Sequence, residues 1–212
     1  MRVLIAGANG KIGQHLVRKM AGSQHIARAM VRKPDQAQAL ERLGATETVV
    51  ADLEQDCSHA LKGCDAVVFT AGSGPHTGPE KTIDVDQNGA IRLIDAAKAA
   101  GVRRVLLVSS MRADAPEKAP EKIHHYLRAK QQADEHLRAS GLDFTLVRPG
   151  PLTNDPGTGR VEIGKPLDRS GSIPREDVAA VLLATLDADN TVKQTFDLLS
   201  GEEDIAESLA SL

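Results

Sequence analysis

The chain has 212 residues, 41% of them hydrophobic and 26% charged, with a formal net charge of -3. That length suits one packed core, and the charge balance supplies no basic field for a nucleic acid. Three Phe, one Tyr and no Trp are too few rings for a base-stacking surface, and no stretch approaches the roughly twenty apolar residues of a membrane span.

The chain opens on an apolar run, RVLIA at 2–6, fit for a buried strand and followed by a charged helical pattern, which predicts no secretory signal. Between the two stands Gly7-Ala8-Asn9-Gly10-Lys11-Ile12-Gly13. A strand, a glycine-rich turn and a helix in that order make the phosphate-binding corner of a dinucleotide fold. Gly7 lets the chain turn off the strand, Gly10 lets backbone approach a pyrophosphate, and Gly13 lets the helix pack close. The N–H groups of the helix start, with the positive end of its dipole, then face the anion. The spacing is G-x-x-G-x-x-G rather than the commoner G-x-G-x-x-G, so the flanking strand and helix carry the inference. Asn9, Lys11 and Ile12 join the three glycines as expected coenzyme contacts.

Farther along, strands are predicted over 2–7, 25–32, 47–51, 65–70, 103–109 and 142–148, with a later one at 194–199. Helices are predicted over 11–21, 34–43, 55–62, 81–100, 122–140 and 175–187, with a C-terminal turn near 203–210. The runs AVVFTA and RVLLVSS are apolar nearly throughout, as strands covered on both faces must be. The alternation implies an α/β fold of the Rossmann type, a doubly wound parallel sheet with helices on both faces. Two long loops, 71–80 and 149–174, follow strands and so lie at the carboxyl edge of the sheet, where ligands bind. We read 1–212 as a single NAD(P)-binding domain, with 150–174 and the C-terminal segment as a small substrate cap. Cys57 and Cys64 have no His or Cys cluster around them. Free thiols in a reducing compartment, no metal and a cytoplasmic location follow.

The second strand ends Met30-Val31-Arg32-Lys33. No acid stands there to bond ribose hydroxyls, and two cations stand where a 2′-phosphate would sit. A guanidinium grips a phosphate through paired hydrogen bonds, so NADP is expected, with NAD possible. Asp52 and Leu53 close the third strand. Asp52 can accept from an adenine amino group with Leu53 against the ring, or it can cap the segment that follows.

The fifth strand ends Val108-Ser109-Ser110-Met111, bringing hydroxyls to the sheet edge. Tyr126 and Lys130 stand at i and i+4 on one helical face. A nearby ammonium favours phenolate, which suits the phenol to exchange a proton with a carbonyl or hydroxyl, and a serine hydroxyl can hold the same oxygen. The same spacing occurs on ordinary surface helices, but Tyr126 is the only tyrosine in the chain.

Through these residues the chain resembles the short-chain dehydrogenase/reductase superfamily, in its atypical branch of NmrA-like and epimerase-dehydratase-like proteins. The motifs are the glycine turn, Val31-Arg32, Asp52-Leu53, Ala71-Gly72, Ser109-Ser110, Tyr126 with Lys130, and the block from Ser140 to Gly150 that ends Arg148-Pro149-Gly150. The resemblance implies that Ser110, Tyr126 and Lys130 are catalytic, with Lys130 also bonding the nicotinamide ribose. It implies that Ala71 and Gly72 line the adenosine ribose, and that Pro149, Gly150 and Leu152 line the nicotinamide side, with Ser109 among the coenzyme contacts. Ser110 and Tyr126 are sixteen residues apart, a gap found in the epimerase-like branch. Asn88 matches a helical Asn of some relatives or serves structural hydrogen bonding, and His124 and His125 are ordinary first-turn residues or helpers in substrate binding.

The expected function is hydride transfer between a nicotinamide and a small carbonyl or alcohol substrate, with Tyr126 as acid/base. A non-catalytic NAD(P)H-binding redox sensor and an epimerase or dehydratase are the alternatives. No nucleic acid or membrane partner is expected, and the chain should act as a monomer or small homo-oligomer.

Overall fold

Alternation along the first strand divides the interior into two layers. In β1 (Arg2–Ala6), Val3 and Ile5 face one side of the sheet and Leu4 and Ala6 the other. The structure is a computed structural model that describes residues 1–74 and 77–212. Pro75 and His76, in the expected 71–80 loop, lie outside the described residues.

In chain order, β1 is followed by α1 (Lys11–Met20), β2 (Ile26–Val31), α2 (Ala37–Leu43), β3 (Glu47–Val50) and β4 (Ala66–Phe69). Next come α3 (Pro79–Thr82), a π turn (Ile83–Gly89), α4 (Ala90–Ala99), β5 (Arg104–Val108), α5 (His124–Ala139) and β6 (Asp143–Pro149). The C-terminal third adds β7 (Leu152–Thr153), β8 (Arg160–Gly164), β9 (Ile173–Pro174), α6 (Arg175–Leu186), β10 (Gln194–Ser200), β11 (Glu203–Asp204) and α7 (Ile205–Ala210).

Nine strands form one sheet in the order β11-β8-β10-β6-β5-β4-β1-β2-β3. The strands from β3 across to β10 are parallel, and β8 runs antiparallel to both β10 and β11. Chain order reverses between β1 and β4, so a crevice opens at the carboxyl ends of those two strands. Leu16, Val17 and Met20 of α1 and Val178 and Leu182 of α6 cover one face. Leu93 and Ile94 of α4 and Leu137 of α5 cover the other. Each such aliphatic side chain contributes about 1.5–3 kcal/mol on burial.

Three expectations need correction. The helix over 55–62 is only a 3-10 turn, Ser58–Leu61. Asp56 accepts the Ser58 N–H at 2.9 Å, a local bond that competes with helix, and Gly63 at φ +72° stops the chain. The 81–100 helix starts at Pro79 and is wound as a π turn over 83–89. The 149–174 loop carries three short strands. Val161 and Ile163 alternate inward in β8, which pairs Leu198 with Ile163 and Ser200 with Val161, so part of the expected cap belongs to the main sheet. Leu152 and Thr153 pair with Ile173 and Pro174 in a separate two-stranded sheet.

Candidate functional site

The glycine turn lies against the end of β4. Gly7 has φ +85°, and a Cβ there would stand 2.5 Å from the Ala71 nitrogen; a Cβ on Gly13 would stand 2.3 Å from the Gly7 carbonyl oxygen. Both glycines therefore serve close backbone approach. The Gly10 N–H donates to Gly7 at 2.9 Å, and the helical ladder starts with Gln14 N–H to Gly10 at 2.8 Å. Among the described residues, no side chain caps α1, which leaves the first-turn N–H groups to an outside acceptor. Asn9, Gly10 and Lys11 are exposed, while Ile12 packs inward. That uncapped helix start fits the diphosphate of a dinucleotide. Lys11 donates to Asn154 Oδ1 at 3.1 Å and Arg175 to the same oxygen at 2.9 Å, tying the segment after β7 to the turn.

At the ends of β2 and β3, Arg32 and Lys33 are exposed, and their backbone N–H groups both donate to Gln36 Oε1. Asp52 Oδ1 accepts the Glu54 N–H at 3.0 Å, the capping arrangement. Leu53 is 7% exposed and belongs to the core on the α4 face. A Cβ on Gly89 would meet the Leu53 Cβ at 3.0 Å, and Arg92 donates to the Leu53 carbonyl. Leu53 is thus mostly committed to packing.

Farther along the crevice, Ser109 is buried and its N–H donates to Val147 at 2.8 Å. Ser110 is half-buried, with its hydroxyl 3.4 Å from the Met111 carbonyl oxygen. Tyr126 is half-buried in the first turn of α5. The Lys130 Nζ stands 5.7 Å from the Tyr126 ring centroid and 5.9 Å from that of Phe69. Lys130 itself is only 3% exposed and forms an ion pair with Asp86 Oδ1 at 3.0 Å. It also donates to the Val108 carbonyl at 3.2 Å. Burial alone pulls this ammonium down, but Asp86, Tyr126 and Asp134 outweigh it and hold Lys130 above its ordinary range. The second Asp86 oxygen accepts the Ser73 N–H at 2.8 Å, just beyond Ala71 and Gly72.

One turn on from Lys130, Asp134 is buried and takes two bonds from Arg148, at 3.1 and 2.9 Å, while Arg148 reaches Asp114 at 3.1 Å. Burial pushes the Asp134 carboxyl up, and Arg148 opposes that. The Pro149 carbonyl accepts from Met111, and the Gly150 N–H donates to Leu198. A Cβ on Gly150 would fall 2.5 Å from the Leu199 Cδ2. Leu152 is half-buried, and its carbonyl accepts from Arg175.

The structure therefore joins the glycine turn, Ala71, Lys130 and Tyr126 into one contiguous region, and leaves Arg32 and Lys33 exposed beyond the end of β2. Sequence reasoning singled out Asn88, which is half-buried beside Gln87, and passed over Asp86. The available signal was a carboxylate on an otherwise apolar helix face, opposite a lysine on another. The His124 Nε2 donates to the Ala119 carbonyl at 2.9 Å, and His125 is exposed. Among the described residues, no cluster of three His, Cys, Asp or Glu could hold a metal ion, and no helix is long and apolar enough to cross a membrane.

Comparison with known proteins agrees with this geometry. A family model described as NAD(P)H-binding matches residues 7–189. A Bacillus subtilis (strain 168) protein named "Uncharacterized sugar epimerase YhfK" is 48% identical, over 100% of both chains. A solved structure from Bacillus halodurans, described as a "putative NAD-dependent epimerase/dehydratase", is 45% identical with TM-score 0.98, again over 100% of both chains. The structure of the oxidoreductase ylbE from Lactococcus lactis is 28% identical with TM-score 0.89, covering 100% of this chain and 96% of the other. The chain belongs to the NAD(P)H-binding family of Rossmann-fold proteins that its glycine turn and strand order describe.

Proposed function

We propose that this protein is an NADP-preferring oxidoreductase of the short-chain dehydrogenase/reductase type, acting on a small carbonyl or alcohol substrate. The observation that carries the reading is the unbroken path from the phosphate turn to the lone phenol: Gly7 against Ala71, Ser73 on Asp86, Asp86 on Lys130, Lys130 beside Tyr126.

In this reading the coenzyme, when bound, supplies or accepts the hydride. Gly7, Asn9, Gly10, Lys11, Ile12 and Gly13 hold its diphosphate. Arg32 and Lys33 grip a 2′-phosphate. Asp52 and Leu53 meet the adenine, and Ala71 and Gly72 its ribose. Ser109, Pro149, Gly150 and Leu152 flank the nicotinamide side. Tyr126 gives or takes a proton at the substrate oxygen, and the Ser110 hydroxyl bonds that oxygen. Lys130 acts on the phenol through its charge, since its burial leaves little of it to reach a ribose. The segments around β7 and β9 cap the substrate, and their small size favours a small molecule over a nucleotide-sugar. Two free thiols, Cys57 and Cys64, suit a reducing compartment such as the cytoplasm, where the chain acts as a monomer or small homo-oligomer.

Titration with NADPH and NADH, followed by NADPH fluorescence and melting temperature, is the first test. A panel of aldehydes, ketones and quinones then reports turnover as NADPH oxidation. Arg32→Asp should weaken NADPH at least tenfold, about 1.4 kcal/mol, and leave NADH nearly unchanged. If neither coenzyme shifts the melting temperature, the reading is wrong. Tight NADPH binding without turnover on any compound favours a redox sensor, a reading that the deep burial of Lys130 supports.

A further inference from the structure

Asp86 is 1% exposed, in the middle of a π turn whose neighbours on the same face, Val85 and Gly89, are packed into the interior. One of its oxygens meets the Lys130 ammonium at 3.0 Å and the other takes the Ser73 N–H at 2.8 Å. A pair buried this deeply is a poor source of stability, because desolvating both charges offsets their attraction and apolar replacements are often neutral. A single-turn π bulge in a helix commonly marks a functional position.

We propose that Asp86 is a positioning residue of the site: it keeps Lys130 charged at a depth where water cannot, and through Ser73 it fixes the segment beside the phosphate turn. One carboxylate thereby sets both the charge felt by Tyr126 and the place of the 71–73 backbone. The inference rests on the oxidoreductase reading, since it assigns Asp86 a task in that same site.

Among the described residues, the groups facing the ammonium are few. Asp86 comes from the π turn, and Tyr126 and Asp134 from its own helix. β4 contributes the Phe69 ring and β5 the Val108 carbonyl. From β6, Arg148 is taken up by Asp134. Remove Asp86 and the carboxylate in ion-pair contact with the ammonium is gone, leaving only the weaker pull of Asp134, which also bonds Arg148. The buried amine then sheds its proton, and the phenol loses the cation that favours its ionised form.

Tyr126 is the only tyrosine, and the chain has no tryptophan, so the ultraviolet phenolate band reports this one side chain. The band is titrated in the wild type, Asp86→Asn, Lys130→Met and the double variant. The midpoint should move up in Asp86→Asn, and the double variant should match that single variant, because Lys130 is already discharged in it. A midpoint in Asp86→Asn that equals the wild type, or moves down, overturns the proposal. Should Asp86→Asn fail to fold by circular dichroism, the double variant leaves no unpaired buried charge and carries the test against the wild type, with an unmoved midpoint again overturning it. Wild-type NADPH titration separates the two levels. Wild-type protein that ignores NADPH sinks the oxidoreductase reading, whereas wild type that binds NADPH, with an unmoved band in the variants, sinks only the role of Asp86.

Discussion

Gly13 has no room for even one methyl group: the Gly7 carbonyl would lie 2.3 Å away. Gly13→Ala must push α1 off the turn, and overpacking of this kind costs about 1–3 kcal/mol; urea unfolding should show it, together with weaker NADPH binding. The Arg148–Asp134 pair gives a second prediction at this scale. Arg148→Met strands a buried carboxylate and should cost about 3–5 kcal/mol, whereas adding Asp134→Leu should restore most of that loss. Chemical denaturation of the two variants checks it, and equal losses in single and double variants would refute the pairing argument. These residues also mark the limit of legibility. Gly7, Gly10 and Gly13 were readable because their spacing follows from backbone sterics between neighbours in the chain. Asp86 was not readable as part of the site, because its partner is 44 positions away and only packing of the π turn on α5 unites them.

Among the elements, the parallel strands were legible because their apolar runs must be covered on both faces. The 149–174 segment was not, because its strands are short and lie among Gly and Pro. What organises it is α6. Asp177 in the first turn accepts the Thr158 N–H at 3.0 Å and the Gly159 N–H at 2.9 Å, and Glu176 takes that of Gly157 at 3.0 Å. Asp177→Ala leaves two of those donors without partners and should cost about 1–3 kcal/mol. Hydrogen exchange should find the 158 and 159 amides opening faster while those of β5 stay protected; unchanged exchange at the turn would count against this account. The Lys11–Asn154 bond links the same segment to the phosphate turn, so loosening it should also raise the apparent Kd for NADPH.

For the whole molecule, the β3 edge is stitched to the centre by one carboxylate. Glu47 accepts from Arg28 at 2.6 Å and Arg2 at 3.0 Å, joining β1, β2 and β3. The Arg28 bond, with help from Arg2, holds its carboxyl below the usual range, and the Gly157 N–H with Lys19 does the same for Glu176. Both acids have folded values below their unfolded ones. Their contribution is therefore present above the ordinary Glu value of about 4.3 and is lost as pH falls through the folded values. Thermal melts should fall steeply below about pH 4.3, and Glu47→Gln should flatten that fall while lowering stability at neutral pH. A melt profile of the variant that parallels the wild type on the acid side would contradict the assignment.

The amino-acid sequence by itself determined the α/β architecture, the close-packed glycine turn and the position of Tyr126 relative to Lys130, because each rests on periodicity or spacing within a few residues. Only the tertiary structure decided that β8 reverses and joins the sheet, that Leu53 is mostly core, and that Lys130 lies buried against Asp86. Those outcomes depend on which distant surfaces exclude water together, and desolvation is a property of the assembled layers rather than of any local stretch of chain.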